Sequence, residues 1–414
     1  MQTIQEAYQH AKLKYIQHEV DTEQALQTLR EKPISIHCWQ ADDVASFEKQ
    51  ESTFSGGIMA TGNYPGKPRN IEELWIDLEK VFELTPGTKR LQIHATYGKY
   101  AVERDQIQPE HFQNWIDWAK KQNIKLDFNP TLFGHTMADT GFTLSSKNSE
   151  IREFWIRHVE KTREISDYIG RDQGSPCIHN LWIPDGMKDI TIDRMGYRAL
   201  LKDSLGKIYE TKYSNVIDCL ESKLFGLGSE TYVVGSHDFY LGYAIKNNLT
   251  PCLDTGHYHP TESVADKITA ILQYTPGIFL HISRGVRWDS DHIPIQDTET
   301  QNIFHELVRS KTLPRVHIGL DYFDASVNRI GAYITGIRST QKALLYALLE
   351  PVEQLRELEE EGRYFERLAF LEEQRTMPMG VIWDYYCASE KVPVGVDWIK
   401  DVQSYEETVL SKRG

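Results

Sequence analysis

The sequence lacks the features that mark several common classes of protein. It has only five cysteines in 414 residues, and because they are scattered and form no CxxC pair, we expect no disulfide framework. No window approaches the roughly 18 apolar residues that a membrane span needs. The opening segment MQTIQEAYQHAKLKY is too polar for a secretory signal. We therefore expect a cytoplasmic protein with reduced cysteines in its core.

Basic clusters and nucleotide-binding motifs are missing as well. The chain has 60 acidic and 46 basic residues and a formal net charge of -14, whereas contacts with phosphate groups need clustered lysine and arginine. No GxGxxG, GxxxxGK[ST] or GxSxG motif occurs. We therefore expect neither nucleic acid nor a membrane as a partner, and we expect a small-molecule substrate.

The sequence does contain a regular alternation of two kinds of segment. Eight short apolar runs end in polar residues and predict strands over 35–40, 91–97, 124–130, 177–185, 216–226, 250–257, 278–284 and 315–324. Helical periodicity lies between most of them, over 71–84, 109–123, 151–170, 231–248, 265–274 and 301–310. Alternating strands and helices imply parallel strands joined by crossovers. Eight such units predict an α/β fold of the (β/α)8 or TIM-barrel type.

The barrel does not account for the whole chain. We assign residues 1–330 to the barrel, with a short N-terminal helix, and residues 331–414 to a C-terminal helical extension. The extension has amphipathic helices over 339–374, in which Pro351 suits a helix first turn or a break. Its apolar stripes suit packing on the barrel or on a neighbouring subunit, and we expect a homo-oligomer. A doubly wound open sheet is the rival fold, but the glycine-rich turn that binds a dinucleotide is missing.

Aspartate and histidine are concentrated in three segments that follow apolar runs. These are DTGHYHP at 254–260, HISRGVRWDSDH at 281–292 and HIGLDYFD at 317–324. Any one such residue also suits a helix cap or a turn. Several of them at the ends of buried strands are costly unless a cation or hydrogen bonds compensate their charge. Carboxylates with imidazoles suit Mn, Mg, Co or Zn, and the pattern predicts a metal site.

The barrel order divides these residues into two predicted sites. Strands five to eight would bring together four ligands, Glu221, Asp254, His281 and Asp321. A second position would use His257, Asp289 and Asp291. Lys223 lies two residues after Glu221 and so on the same strand face. It either stabilises negative charge on a substrate oxygen or neutralises surplus carboxylates.

Other strand ends offer groups that suit a sugar. The indoles of Trp39 and Trp182 either stack on the apolar face of a sugar or pack within the barrel. With His94, Asp185 and Lys223, they make up the predicted substrate contacts.

In these segments the chain resembles the L-rhamnose isomerase family. The motifs that carry the resemblance run in order along nearly the whole chain: IHCWQADDV, TGNYPGKPRN, LDFNPTLF, LWIPDGMKDI, ESKLFGLGSE, CLDTGHYHPTE, VRWDSDHI and HIGLDYFDASVNRI. The resemblance implies a metal-dependent aldose–ketose isomerase that interconverts L-rhamnose and L-rhamnulose in the first step of L-rhamnose catabolism. It also implies a homotetramer that its C-terminal helices help to assemble.

Carried over residue by residue, the resemblance implies a role for each proposed ligand. A structural cation, Zn²⁺ or Mn²⁺, would bind Glu221, Asp254, His281 and Asp321, and a catalytic Mn²⁺ would bind His257, Asp289 and Asp291. The implied reaction is a hydride shift between C2 and C1 of the opened sugar. Asp321 would orient the water that moves a proton between O1 and O2, and Lys223 would stabilise the negative oxygen. A proton-abstracting enediol route is the alternative.

Other functions compete with this one. A related metal-dependent isomerase or epimerase for another sugar is the nearest. A dinuclear hydrolase would need an HxH motif on the first strand, where this chain has His37, Cys38 and Trp39. A non-catalytic sugar-binding barrel would not need two cations with a lysine beside them.

Overall fold

The protein is built on a closed barrel of eight parallel strands, which neighbour one another in chain order. The computed structural model describes residues 2–47, 62–224, 229, 231–286 and 289–413, with the backbone alone for residues 2 and 289–291. We number the barrel strands β1 to β8: Ile34–His37, Lys89–His94, Lys125–Asn129, Cys177–Leu181, Val216–Glu221, Thr250–Asp254, Ile278–Ile282 and Val316–Leu320. All eight overlap the predicted strands, and the (β/α)8 barrel is confirmed.

The strands are apolar because the barrel interior covers one face and helices cover the other. Every residue of β4, β6 and β7 is buried. The strand register places Asp254 beside His281, and His281 beside Gly319 at the end of β8. On the other side, Glu221 lies beside Cys252. The C-terminal ends of β5 to β8 therefore meet on one rim of the barrel.

A helix follows each barrel strand. In chain order these helices are Ile71–Glu83, Gln113–Gln122, Ser149–Asp172, Arg194–Ile208, His237–Asn247, Ala265–Leu272, Thr298–Arg309 and Arg329–Leu348. Helices Gln2–Ile16 and Thr22–Glu31 precede β1, and the short helix Trp39–Asp42 follows it. Turns of 3-10 helix lie at Ala95–Tyr97, Arg104–Gln106, Pro109–Phe112, Thr136–Ala138, Leu313–Arg315 and Leu410–Arg413.

The helix Arg194–Ile208 was missed by the sequence reading. It contains two glycines, Gly196 and Gly206, each of which weakens a helical pattern by about 1 kcal/mol relative to alanine. Only four of its 15 residues are buried, and the apolar stripe is correspondingly weak. The side chain of Asp193 caps its start by accepting a hydrogen bond from the Gly196 amide at 3.0 Å.

The predicted helix over 231–248 begins later in the structure, at His237. The residues before it form a two-residue strand, Tyr232–Val233, which pairs with Gly186–Met187 as an antiparallel ribbon. A second ribbon joins Arg284–Val286 to Asp289–His292. Both ribbons lie in loops that follow barrel strands.

After the eighth barrel helix, the C-terminal extension continues as shorter helices: Val352–Glu360, Tyr364–Gln374, Met379–Ser389 and Trp398–Thr408. Pro351 occupies the position before the first of them, where its missing N–H costs nothing. Helix Met379–Ser389 packs on the N-terminal helix, and the rings of Tyr8 and Tyr385 stack at 3.8 Å. The extension therefore contacts the chain's own N-terminal helix.

The remaining sequence-level expectations concern cysteine and membranes. All five cysteines are buried and have free thiols. None of the helices in the described part of the chain combines the length and the apolar character that a bilayer crossing demands.

A buried carboxylate joins the eighth barrel helix to the helix before it. Glu350 accepts hydrogen bonds from Arg309 at 2.6 and 2.5 Å, and its Oε1 lies 3.2 Å from Nδ1 of His305. Burial alone would raise the pKa of Glu350, but Arg309 and His305 lower it to about 2. The ionised carboxylate therefore stabilises the folded state.

We expect Glu350→Gln to lower the free energy of unfolding near neutral pH by about 3 kcal/mol, the equivalent of the pKa shift. The pKa is about 2 in the folded chain, against a usual value of 4.5. The stabilisation by Glu350 is therefore complete above its usual pKa of 4.5, and it is lost as the pH falls toward the folded-state pKa of about 2. Urea unfolding of both proteins between about pH 7 and pH 3 measures it.

The matched control is Glu353→Gln, since Glu353 is an exposed carboxylate on the next helix and also pairs with basic groups. Exposed ion pairs contribute little, so this variant should unfold like the wild type. A stability difference for Glu350→Gln that stays constant down to low pH would show that the effect is not electrostatic.

Candidate metal centre and cavity

Four of the predicted ligands lie together on the rim. Glu221 ends β5, Asp254 ends β6, His281 lies in β7 and Asp321 directly follows β8. Each offers one ligand atom, and these atoms all lie within 4.8 Å of one another. Four converging N and O donors at this spacing are what a divalent cation needs.

The imidazole of His281 is oriented toward the carboxylates. Its Nε2 lies 3.1 Å from Oε1 of Gln92, which accepts the N–H. The other nitrogen, Nδ1, lies 3.2 Å from both Glu221 Oε2 and Asp321 Oδ2. Nδ1 is fully buried and has no hydrogen-bond partner of good geometry among the described residues. A buried nitrogen without a partner suits a metal ligand, and the hydrogen bond from Nε2 to Gln92 fixes the tautomer that leaves Nδ1 free.

Further hydrogen bonds hold the three carboxylates. Asn180 donates to Glu221 at 2.5 Å, and the indole N–H of Trp39 donates to Asp321 at 2.9 Å. The backbone N–H of Gly256 and the hydroxyl of Ser283 donate to the same oxygen of Asp254 at 2.7 and 2.8 Å. Such outer contacts orient ligands, and they leave Asp254 Oδ2 directed at the histidines.

The cluster has an excess of negative charge. Burial, and then the charges of Asp321 and Glu221, raise the pKa of Asp254 well above its usual value. Burial opposes a charged His281, yet Cys252 and Glu221 raise its pKa. Burial would also raise the pKa of Asp321, but the interaction with His281, whose Nδ1 lies 3.2 Å away, lowers it. A cation would neutralise these carboxylates, so the donor set fits one.

His257 lies at the edge of the same cluster. Its Nδ1 is 3.1 Å from the carbonyl oxygen of Ser222 and 3.2 Å from Oε1 of Glu221, and its Nε2 is 3.6 Å from Oδ2 of Asp254. Burial and the charge of Lys223 lower the pKa of His257. A neutral imidazole with one free nitrogen is the form that binds metal.

The remaining two predicted ligands, Asp289 and Asp291, have side chains outside the described part of the structure. Their backbone belongs to the strand Asp289–His292, which pairs with Arg284–Val286 just after β7. The second metal position therefore stays a prediction.

A cavity of about 470 Å³ opens beside the cluster, and its walls are of two kinds. It is lined by Trp39, Val44, His94, Asn129, Phe133, Trp182, Glu221, Lys223, His257, Asp321 and Phe323. Aromatic rings form a continuous wall, with centroid distances of 4.2 Å from Trp39 to His94, 5.7 Å from His94 to Phe133, and 5.9 Å from Phe133 to Trp182. Burial lowers the pKa of His94 to about 3, so its ring is neutral. The carboxylates and His257 form the polar side.

Most of the predicted contact residues lie at this cavity. Trp39, His94, Trp182 and Lys223 line it, and the ammonium of Lys223 lies 5.0 Å from the centre of the Trp182 ring. This is a cation–π distance. Aromatic stacking and a positive charge are therefore available on one side of the cavity.

Asp185 is the predicted contact that lies elsewhere. Its carboxylate accepts hydrogen bonds from the hydroxyl of Thr143 at 2.5 Å, and from the hydroxyl and backbone N–H of Ser145 at 2.6 and 2.9 Å. It is buried and does not line the cavity. The expected substrate contact of Asp185 has no support in this geometry, and the side chain instead holds the segment around Ser145.

Several residues of the site were missed by the sequence reading. Phe133 and Phe323 line the cavity, and Gln92 fixes His281. Gln92 stands two residues before His94 in β2, and the period of two places both side chains on the inner face. Phe133 and Phe323 stand in loops just past β3 and β8. The inward-facing position of Gln92, and the aromatic character of Phe133 and Phe323 just after strand ends, are the sequence signals that identify these three residues.

The chain matches a known family over almost its whole length. The model of the L-rhamnose isomerase (RhaA) family matches residues 2–413. L-rhamnose isomerase of Bacteroides thetaiotaomicron is 53% identical over 413 residues, and that of Salmonella gallinarum is 50% identical over 414 residues. Each of these alignments covers 99% of both chains.

Solved structures with similar coordinates are more distant in sequence. An L-ribulose 3-epimerase superposes with a TM-score of 0.49 at 12% identity, covering 78% of this chain and 97% of that one. A 3-keto-D-glucoside 4-epimerase from E. coli superposes with a TM-score of 0.46 at 9% identity, covering 75% of this chain and 99% of that one. The family match and the two full-length relatives show that the chain belongs to the L-rhamnose isomerase family, and it is accordingly an aldose–ketose isomerase.

Proposed function

We propose that this protein interconverts L-rhamnose and L-rhamnulose and that it depends on divalent cations. The observation that carries the proposal is the buried cluster of Glu221, Asp254, His281 and Asp321, which opens onto a cavity of about 470 Å³. The relatives at 50% and 53% identity carry the name of this activity.

The four clustered residues would hold one cation, which we propose to be Zn²⁺ or Mn²⁺. A second cation, which we propose to be Mn²⁺, would bind His257, Asp289 and Asp291. A bound divalent cation supplies Lewis-acid polarisation of a carbonyl oxygen and a template for two neighbouring oxygens. The chain supplies the rest of the chemistry.

The aromatic wall binds and orients the opened sugar. Trp39, His94, Phe133 and Trp182 present apolar ring surface, against which the C–H groups of a sugar pack and from which water is excluded. The neutral His94 adds no charge to this wall. The wall thus leaves the sugar's oxygens directed at the polar side of the cavity.

The polar side carries out the isomerisation. A hydride moves between C2 and C1 of the sugar, and a proton must move between O2 and O1 to complete the exchange. Asp321, whose orientation Trp39 fixes, holds the water that carries this proton. The ammonium of Lys223, at the cavity wall, stabilises the oxygen that becomes negative.

The direct test is ketose formation. Purified protein loaded with Mn²⁺ is incubated with L-rhamnose, and the product is identified by chromatography against authentic L-rhamnulose. Other aldoses are assayed in parallel, because pocket shape separates similar sugars by only about 1–3 kcal/mol. Folded, metal-loaded protein that forms no ketose from L-rhamnose would contradict the proposal.

Isotope labelling separates the two chemical routes. In deuterated water, a hydride shift carries the original C–H hydrogen from C2 to C1, so we expect ketose without deuterium on carbon. An enediol route exchanges that hydrogen with solvent. Proton NMR of the product, with an enzyme-free sample as the control for spontaneous exchange, distinguishes them. Deuterium at C1 of the ketose would overturn the hydride shift.

Three further statements belong to the same proposal. A cytoplasmic location suits a sugar isomerase with a net charge of -14. The helices that follow the eighth barrel helix favour a homotetramer assembled partly through them. Because that eighth helix begins at Arg329, a boundary at residue 330 would separate it from the barrel, and we propose the boundary after Leu348 instead. Size-exclusion chromatography with light scattering measures the subunit number.

A further inference from the structure

Three hydrogen bonds form a closed ring behind His257. Nε2 of His237 lies 2.7 Å from the carbonyl oxygen of His257. Nδ1 of His237 lies 2.5 Å from the hydroxyl of Ser222. Nδ1 of His257 lies 3.1 Å from the carbonyl oxygen of Ser222. The ring connects the residue that follows β5, helix His237–Asn247 and the loop after β6.

The chemistry of the acceptors fixes the direction of each bond. A carbonyl oxygen only accepts, so Nε2 of His237 donates to His257 and Nδ1 of His257 donates to Ser222. In a neutral imidazole that donates through Nε2, the other nitrogen accepts a hydrogen bond, so Nδ1 of His237 is the acceptor here. The hydroxyl of Ser222 supplies that last proton. Every donor in the ring therefore has one acceptor.

This arrangement determines which nitrogen of His257 is free. With the proton on Nδ1, the lone pair is on Nε2, which lies 3.6 Å from Oδ2 of Asp254. This lone pair and an ionised Asp254 repel each other unless a positive group lies between them. The ring thus prepares His257 to bind a cation through Nε2.

The ring of His237 is held in place by a residue that lies outside the cavity. Its ring stacks on Tyr258 at 4.1 Å with an interplanar angle of 17°. The ammonium of Lys267 lies 5.0 Å from the centre of the Tyr258 ring. His237 does not line the cavity, so it has no direct contact with a substrate there.

We propose that His237, assisted by Ser222, is a positioning residue that fixes the tautomer and the ring orientation of His257 for cation binding. The proposal rests on the proposed metal dependence of the enzyme. It assigns to His237 no contact with substrate. Outer-sphere partners of this kind typically change metal affinity by about 10- to 100-fold.

The experiment measures Mn²⁺ affinity directly, by electron paramagnetic resonance of the free ion in the full-length protein. His237→Phe keeps a ring to stack on Tyr258 and removes both nitrogens, and we expect Mn²⁺ to bind about 10-fold more weakly or worse. His237→Gln retains an N–H donor near the position of Nε2, so it should recover most of the affinity. Ser222→Ala removes one hydroxyl, leaves the backbone acceptor in place, and should give an intermediate loss.

A control and the kinetic constants separate positioning from folding. Tyr258→Phe keeps the stacked ring and should bind Mn²⁺ like the wild type. With saturating Mn²⁺, His237→Phe should recover kcat, because the residue acts through metal occupancy. Wild-type affinity in both His237→Phe and Ser222→Ala would overturn the proposal, even if their melting temperatures fall. If the wild type itself binds no Mn²⁺, the proposed metal dependence fails and this inference fails with it.

Discussion

Replacing Asp254 by asparagine is expected to abolish cation binding at the four-residue cluster and to disturb the neighbouring second position through His257, whose Nε2 lies 3.6 Å from Asp254. We expect kcat for L-rhamnose to fall by roughly 10³-fold or more, since Lewis-acid catalysis contributes several kcal/mol. Asparagine keeps the shape of the side chain and the oxygen that accepts from Gly256 and Ser283 at 2.7 and 2.8 Å. It replaces Oδ2, which lies 3.6 Å from His257 Nε2 and 4.0 Å from His281 Nδ1. The new N–H group cannot bind a cation.

The same substitution should act differently on stability with and without metal. In chelated protein, Asp254→Asn removes one of three crowded carboxylates, so the variant should melt no earlier than the wild type. With Mn²⁺ at about 100 times the Kd of each position, each occupied position should add about 2.7 kcal/mol to the free energy of unfolding, and the variant should lose the part that belongs to the cluster. Thermal unfolding of both proteins after chelation and after addition of Mn²⁺ measures the two responses.

The matched control is Asp127→Asn, at a buried carboxylate in β3. Asp127 accepts from Arg90 at 2.7 Å and from the hydroxyl of Ser35 at 2.6 Å, and it does not line the cavity. Its loss should lower the melting temperature and leave the Mn²⁺-dependent rise unchanged. Normal Mn²⁺ binding by Asp254→Asn would show that the cluster is not the cation site.

The barrel was predictable because each of its strands is a short, mainly apolar segment of the sequence. Each of the eight is covered on both faces, and runs such as IFLHI in β7 contain little else. Helices were predicted well where one face is strongly apolar, as in Ile71–Glu83. The helix Arg194–Ile208 has a weak stripe and two glycines, so its periodicity could not be seen. Its place in the fold is set by tertiary packing.

The cation cluster was predictable for a topological reason. Parallel strands in a barrel bring their C-terminal ends to one rim, so residues that end neighbouring strands must meet. The same rule also selected Asp185, which follows a strand but does not line the cavity. Its partners, Thr143 and Ser145, lie about 40 residues earlier in the chain, and nothing local in the sequence identifies them. A position at the end of a strand identifies a residue as a candidate for the site. The conformation of the loops then determines which of these side chains face the cavity.

Replacing Lys223 by methionine is expected to lower kcat by about 10²- to 10³-fold, the usual effect of removing one group that stabilises a developing oxyanion. Methionine keeps the length and the apolar stem that packs near Trp182 and removes the charge. Among the described residues, no carboxylate pairs with the ammonium of Lys223, whose neighbour at 5.0 Å is the Trp182 ring. Its charge is therefore available to a substrate oxygen. Steady-state kinetics with L-rhamnose at saturating Mn²⁺ measures kcat and KM separately.

Comparing the changes in kcat and in KM of Lys223→Met distinguishes two roles for Lys223. A group that acts only in the transition state lowers kcat and kcat/KM equally, whereas a group that binds substrate uniformly raises KM and leaves kcat unchanged. Lys246→Met, at an exposed lysine on the helix after β5, should leave both constants unchanged. Lys223→Met should also bind Mn²⁺ at least as tightly as the wild type, because a positive charge near His257 opposes a cation. Weaker Mn²⁺ binding in this variant would mean that the lysine organises the metal centre and would contradict its assignment to the sugar.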